Sequence, residues 1–212
     1  MKICKTSILI MLLIKMTSVY SQKTDYIYQS MADYIQNQAD TTNRIILEKR
    51  TRGQIYMSGG NDYKIYSAKK ELSKSIKKQV WAIQKNDSLF LNCYHFKLGF
   101  WYAYAEKIND NLFFTAAITM DQEQRQEMAI AGMIGGPIAG GLAGGDLALK
   151  RFYYVLNLKT GQMQYLSKTM MLDLIKSFPE LAESYKQEKE PEEIETLRGY
   201  LSEIKIRNTV VR

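Results

Sequence analysis

The sequence is poor in the residues that build disulfides and metal sites, with two cysteines and one histidine among 212 residues. Cys4 lies in a leader that we expect to be removed, so Cys93 is the only cysteine expected in the mature chain. A single thiol cannot form an intramolecular disulfide, and the fold must therefore be held by packing. One cysteine and one histidine are also too few for a structural zinc site, which needs four ligands. No metal or other cofactor is expected.

Glycine motifs that bind phosphate are also missing. The sequence contains no G-x-G-x-x-G pattern, and no Lys-Ser or Lys-Thr pair follows a glycine at the spacing of a P-loop. No motif typical of nucleic-acid-binding proteins occurs either. We therefore expect neither a nucleotide nor a nucleic acid among the ligands.

Cys93 and His95 are the candidates for a catalytic nucleophile and its base. If both lie on a strand, residues two positions apart share a face but are separated by roughly 6.5–7 Å. That separation exceeds hydrogen-bond reach, and no third group is placed to orient the histidine. The pattern favours a buried thiol beside a histidine at a strand end, and no catalytic residue is predicted.

The first 21 residues have the features of a cleaved export signal. Lys2 and Lys5 precede the short apolar run Ser7–Ile14, and Ser21 provides a small residue for cleavage before Gln22. Eight residues are far fewer than the roughly 20 needed to span a membrane. Because Cys4 precedes the apolar run, lipidation is not expected. The predicted protein is exported and is periplasmic, envelope-associated or secreted.

Positive charge is concentrated in one part of the chain. Export would remove three of the 29 basic residues and none of the 22 acidic ones, which leaves a modest net charge of +4. The densest basic stretch contains Lys69, Lys70, Lys74, Lys77 and Lys78. These lysines form either a patch for polyanions or lipid headgroups or an ordinary solvated face above Leu72, Ile76 and Val80.

The apolar spacing predicts helices at both ends of the mature chain and strands between them. Residues 22–43 are expected to form an N-terminal helix that runs from Thr24 to Ala39, because apolar residues at 27, 31, 34 and 35 follow helical spacing. Residues 167–212 are expected to form three helices, the first capped by Ser167 or Thr169 and the second opened by Pro179. Residues 44–166 then form a β-domain, and the fold class is α+β.

Alternating patterns and turn residues place the strands of the β-domain. Gln54–Ser58 and Tyr63–Ala68 are expected to pair around a glycine turn. Two clearer hairpins are centred on Asn86-Asp87 and Asn109-Asp110, because both residue types tolerate left-handed backbone. A third hairpin turns at Thr160-Gly161. The predicted sheet is a small antiparallel meander or a barrel-like sheet.

The sequence contains the short motifs Leu156–Gly161, Tyr165–Ser167, Phe178–Leu181, Asn86–Leu89 and Tyr102–Glu106. Together they resemble a family of small exported proteins from anaerobic gut bacteria that is a domain of unknown function. The resemblance covers most of the mature chain. It implies export and a shared fold, but its motifs are structural and imply no catalytic site.

A glycine-rich insertion at residues 121–150 interrupts the β-domain. Eighteen uncharged residues run from Met128 to Gly145, and small residues recur in them every four positions. One row consists of Gly132, Gly136, Gly140 and Gly144. In a helix this spacing lines one side and lets a second helix approach closely. The stretch separately resembles the glycine-zipper segments of bacterial envelope proteins.

Three interpretations of this insertion stay open from the sequence. It packs on its own domain, it contacts or enters a membrane as an oligomer, or it is a mobile loop at a ligand site. A single membrane crossing is excluded, because it would separate the strands on either side, which we expect in one sheet. As one helix the stretch would also reach only about 27 Å, against a hydrocarbon core of about 30 Å.

The sequence therefore predicts an exported, non-catalytic envelope protein that binds a protein or membrane partner through the glycine-zipper insertion. A homo-oligomer is one form of that partnership. The alternative is a soluble periplasmic or secreted hydrolase or glycan-binding module that uses a tyrosine-rich sheet face. A cleft lined by two facing carboxylates would favour the enzyme.

Overall fold

A computed structural model of the chain describes residues 24–42, 44–118 and 148–210. Within these ranges the chain forms ten strands in one antiparallel sheet together with six α-helices. The predicted α+β class is therefore correct. The expected export signal and the four glycines of the zipper row lie outside the described residues.

The strands and helices are numbered in chain order. The strands are β1 (Asp25–Tyr28), β2 (Asp40–Thr42), β3 (Ile45–Lys49), β4 (Tyr63–Ser67), β5 (Ala82–Lys85), β6 (Ser88–Asn92), β7 (Tyr102–Ile108), β8 (Asn111–Ala116), β9 (Phe152–Asn157) and β10 (Met163–Tyr165). The helices are α1 (Met31–Ile35), α2 (Arg52–Ser58), α3 (Lys70–Lys78), α4 (Lys168–Ile175), α5 (Pro179–Lys186) and α6 (Ile194–Val210), with a 3-10 helix at Cys93–Phe96. Among these described helices, none combines the length and the apolar character that a membrane crossing requires.

Strands β5 to β10 follow one another as an up-and-down meander, and β1 and β2 extend the sheet beyond β5. The hairpin β3–β4 branches from this path through one pair, Tyr63 with Tyr102 of β7. The two end strands, β10 and β2, do not pair with each other, so the described sheet is open. The barrel-like alternative is therefore wrong.

Two-residue turns close the central hairpins at the predicted positions. Lys85 pairs with Ser88, and the intervening Asn86 and Asp87 have φ angles of 50° and 64°. Ile108 pairs with Asn111 across a turn in which Asn109 has φ 53°. Asparagine and aspartate reach this left-handed region at little cost, because their short polar side chains bond locally.

The sheet buries apolar residues on both faces. Neighbouring residues such as Ala82 and Ile83, or Leu112 and Phe113, belong to different core clusters because side chains alternate along a strand. One face is covered in part by Met31 and Tyr34 near the N-terminus. The opposite face carries two separate clusters. The hairpin β3–β4 and α3 cover the first, and helices α4 to α6 cover the second.

The predicted N-terminal helix over residues 22–43 is wrong. Residues Asp25–Tyr28 form a strand on the edge of β5, and only Met31–Ile35 are helical. Ser30 begins that helix by accepting a hydrogen bond from the Asp33 amide, while the Asp33 carboxylate accepts one from the Ser30 amide. Ile27 and Met31 would share one face of the predicted helix, but they pack into clusters on opposite faces of the sheet.

The predicted strand at Gln54–Ser58 is also wrong, because these residues lie in helix α2. Thr51 caps the helix by accepting from the Gln54 amide, and the Gln54 side chain accepts from the Thr51 amide. This reciprocal pair is a capping box, and Thr-x-x-Gln is its sequence signature. Strand β4, by contrast, lies close to its predicted position.

Candidate functional site

The loop Gly59–Asp62, here called the anchor loop, holds both chain segments that border residues 119–147. The side chain of Asn61 is fully buried, and its amide nitrogen donates to the carbonyl oxygens of Leu98 (2.8 Å) and Phe100 (3.1 Å). Its amide oxygen accepts a hydrogen bond of 2.7 Å from the backbone N–H of Ala117. Asn61 therefore fixes the chain where it leaves β8.

Asp62 and Arg151 fix the chain where it returns to β9. The guanidinium of Arg151 donates through Nε to Asp62 Oδ1 at 2.7 Å and through a terminal nitrogen to the Gly60 carbonyl at 3.2 Å. The other terminal nitrogen donates to the carbonyls of Ala148 and Lys150. Because the Arg151 side chain is only 10% exposed, this ion pair is shielded from water more than a typical surface pair.

A second arginine, Arg50, binds backbone carbonyl groups of the anchor loop. Arg50 donates to the carbonyl oxygens of Gly59 (2.7 Å), Asn61 (2.9 Å) and Gln54 (3.0 Å). Burial lowers the pKa of this guanidinium, and so does the positive charge of Arg151 nearby. The carbonyl groups of Gln54 in α2 and of the anchor loop compensate for that burial by accepting its hydrogen bonds.

Beside the anchor loop lies a surface of exposed aromatic rings and lysines, here called the aromatic–basic surface. The rings of Tyr94 and Phe100 stack with centroids 6.1 Å apart, and the two residues are 43% and 50% exposed. Trp101 follows with a φ of 77°, which is unusual for a bulky residue. The ammonium of Lys77 lies 5.8 Å from the Phe100 ring centroid and 5.9 Å from that of Trp101.

The five lysines of the predicted basic patch lie in helix α3 or at its start. Lys69 occupies the N-cap position of α3 and the others lie within the helix, and all five side chains are exposed. Ile76 and Val80 are completely buried, and Leu72 packs partly against the same cluster. The lysines thus form a solvated helix face above an apolar one, and Lys77 connects that face to the aromatic rings.

A cleft of about 400 Å³ opens on the sheet face between the hairpin β3–β4 and helix α6. It is lined by Lys49, Asp62, Tyr63, Tyr104, Glu106, Phe113, Phe114, Thr115, Tyr153, Arg198, Leu201, Ser202 and Lys205. Its volume lies within the range of roughly 300–1,000 Å³ that small-molecule sites occupy. This cleft contains three tyrosines of the sheet that the sequence suggested as a binding face.

Both carboxylates that line the cleft have cationic partners. Asp62 accepts from Arg151, as described above, and Glu106 lies 3.7 Å from the ammonium of Lys205. Glu106 also accepts a hydrogen bond of 3.3 Å from the Tyr104 hydroxyl. Both carboxylates therefore already hold partners within the protein, and each has a second oxygen or lone pair with which to accept a further hydrogen bond.

Cys93 and His95 lie in the 3-10 helix after β6 rather than on a strand. Cys93 is fully buried, and burial raises the pKa of its thiol well above the ordinary value. His95 Nε2 lies 3.1 Å from the carbonyl oxygen of Val80, to which it can donate. A buried, protonated thiol is not a nucleophile. In the described part of the chain, no three His, Cys, Asp or Glu side chains are grouped as a metal site.

The residues of the anchor loop were not identified as functional from the sequence. Ser58–Asp62 was expected only to form a turn, and neither Asn61 nor Arg151 belonged to a recognisable motif. Their hydrogen-bond partners are 56 and 89 residues distant in the chain. The glycine-rich sequence predicts an insertion, but only the fold shows what holds the chain segments that border residues 119–147.

The model of one protein family matches residues 26–208, and its description is "Family of unknown function (DUF6563)". No curated protein matches the chain. No solved structure matches it either. The match covers nearly all of the described residues, including the anchor loop, the aromatic–basic surface and the cleft.

Proposed function

The chain belongs to this family of unknown function, and we propose that the protein is an exported, non-catalytic protein of the cell envelope that binds a membrane or protein partner through its glycine-rich insertion. The β-domain and its helices serve as the base that carries the insertion. Neither a cofactor nor a nucleotide takes part.

The observation that carries this proposal is the attachment of both ends of the insertion at one loop. Ala116 of β8 pairs directly with Phe152 of β9, so the chain leaves and re-enters the sheet at neighbouring positions. Asn61 binds the outgoing end and Asp62 binds the returning end. A segment with adjacent, fixed ends can contact a surface without separating the strands on either side of it.

The surroundings of the attachment point also favour an envelope partner. The aromatic–basic surface adjoins the anchor loop, because the backbone N–H of Asn61 donates to the carbonyl oxygen of Phe100 at 3.0 Å. Tyrosine and tryptophan rings favour the interface between membrane and water, and lysines near a membrane are attracted to anionic lipids. We therefore favour an anionic membrane surface over a soluble protein as the first partner.

Within the insertion, the glycine row at every fourth position is proposed to act as a glycine zipper. Small side chains allow helices to approach closely, either within one chain or between copies in a homo-oligomer. This proposal requires small size at the glycine positions rather than backbone flexibility.

A hydrolase is the less favoured function. The two carboxylates of the cleft both have cationic partners, and neither Cys93 nor His95 lines it. The tyrosines of the cleft favour the other alternative, a glycan-binding module.

The zipper proposal predicts that leucine and alanine substitutions differ in effect. Replacing Gly136 and Gly140 together with leucine overpacks a close helix contact, at a cost of about 1–3 kcal/mol per site. Replacing the same glycines with alanine keeps the residues small and stabilises a helix by up to ~1 kcal/mol per site. We expect the leucine variant to lose its oligomer or melt earlier, as measured by size-exclusion chromatography and thermal melting. Equal tolerance of leucine and alanine would show that nothing packs against these glycines.

A further inference from the structure

The cleft between the hairpin β3–β4 and helix α6 has the side chains of a carbohydrate site. Its floor comes from three adjacent strands, with Tyr104 on β7, Thr115 on β8 and Tyr153 on β9. One wall is supplied by Lys49 and Tyr63 of the hairpin. The other wall is supplied by Arg198, Leu201, Ser202 and Lys205 of α6.

The ring of Tyr104 is fixed in place while much of the residue remains accessible. Its hydroxyl donates to Glu106, and its ring lies 6.0 Å from that of Phe90, which in turn lies 5.0 Å from the ring of Tyr63. Tyr104 is nevertheless 39% exposed. A rigid, partly exposed tyrosine offers apolar contact area at low entropic cost together with a polar edge, and both suit the face of a sugar ring.

The charges around the cleft leave one cation in excess. Arg198 binds both oxygens of Glu195 at 2.7 Å, and Lys205 lies beside Glu106. Lys49 is exposed, and no carboxylate of the described residues lies within ion-pair distance of its ammonium. Lys49 is therefore available for a ligand that carries a single negative charge.

The two carboxylates narrow the ligand class further. Asp62 and Glu106 can accept hydrogen bonds from the hydroxyl groups of a sugar. The single excess cation matches one negative charge, and it would leave the second charge of a phosphate uncompensated. A neutral sugar would leave Lys49 without a partner. We propose that this cleft binds a sugar ring that carries one carboxylate, of the uronic-acid class. Sugar binding in this cleft does not depend on whether the glycine-rich insertion binds a membrane.

Three probes with the same ring test the proposal on the purified protein. D-glucuronate, D-glucose and D-glucose 6-phosphate differ only in the group at C6, which is a carboxylate, a hydroxymethyl or a phosphate ester. Titration by calorimetry or ligand-observed NMR should show that D-glucuronate binds about tenfold more tightly than either other probe, which is the typical effect of one charge-assisted hydrogen bond. Equal binding of all three, tightest binding of the phosphate, or no binding of D-glucuronate would overturn the proposal.

Two variants show whether any binding occurs in this cleft. Lys49→Gln should weaken D-glucuronate binding about tenfold and leave D-glucose binding unchanged, because only the acid uses the ammonium. Ser202→Trp fills the cleft from an exposed helix position and should abolish binding of every probe. Lys74→Gln removes an exposed lysine of α3 outside the cleft and is the matched control. If Lys49→Gln and Lys74→Gln behave alike, or Ser202→Trp still binds, the assignment to this cleft is wrong.

Discussion

Asn61→Ala is expected to destabilise the protein by roughly 3–5 kcal/mol, which is a large part of the total stability of a small domain. The substitution removes one buried donor group and one buried acceptor. The Ala117 N–H and the Leu98 carbonyl then lose the Asn61 side chain as their hydrogen-bond partner. Each buried polar group left in this state costs about 1–3 kcal/mol. Urea unfolding followed by circular dichroism measures the loss.

Asn157→Ala is the matched control for this variant. The Asn157 side chain also accepts two backbone hydrogen bonds, from Lys159 and Thr160, but both are exposed to solvent. Water replaces those bonds in the variant, so the expected cost is about 1 kcal/mol. If Asn157→Ala and Asn61→Ala lowered the unfolding free energy equally, Asn61 would not be the anchor described here.

Gly60→Ala is expected to be nearly as damaging, at a cost of about 2–4 kcal/mol. Gly60 has a φ of 80°, which a residue with a Cβ adopts only under strain. An added Cβ would also lie 2.8 Å from Cδ1 of Trp101 and 3.0 Å from the carbonyl oxygen of Phe100. The aromatic–basic surface must then move away from the anchor loop.

Gly53→Ala separates this effect from the general effect of replacing glycine. Gly53 lies in helix α2, and a Cβ there would meet no atom within 4 Å. Alanine in place of this helical glycine should raise stability by up to ~1 kcal/mol. Thermal melting of the two variants should therefore shift the midpoint in opposite directions. A Gly60→Ala protein as stable as the Gly53→Ala protein would contradict the close contact between the anchor loop and Trp101.

The predictable parts of the fold were those with local causes. The hairpin turns at Asn86-Asp87 and Asn109-Asp110 were predicted because the turn residues specify their own backbone conformation. Apolar spacing predicts a helix where the chain forms β1 and a strand where it forms α2, whereas the capping boxes at Ser30 and Thr51 mark where helices α1 and α2 begin. Those boxes are visible in the sequence as Ser-x-x-Asp and Thr-x-x-Gln, and the second matches the standard signature.

The candidate sites were less predictable, because their residues meet only in the folded chain. The tyrosine pairs Tyr102/Tyr104 and Tyr153/Tyr154 suggest a sheet face for sugars, but the sequence does not show which of these rings share a cleft. It also gives no sign that Lys49 lines that cleft. The contact between Asp62 and Arg151 joins residues 89 apart. Local pattern carries no information about such pairs, since each depends on how the hairpin and β9 are placed around the sheet.

The role of the glycine-rich insertion is tested most directly by removing it and following where the protein goes. Because Ala116 pairs with Phe152, a short Gly-Ser linker can replace residues 121–146 while Ala117 and Arg151 keep their contacts with the anchor loop. Tagged wild-type and deletion proteins would be expressed with their leader, fractionated, and analysed by N-terminal sequencing and thermal melting. We expect both mature proteins to begin at Gln22 and to melt alike, with the wild type in the envelope fraction and the deletion variant released as soluble protein. A folded deletion variant that stays in the envelope fraction, or a wild-type protein that retains Met1 in the cytoplasm, would contradict the proposed function.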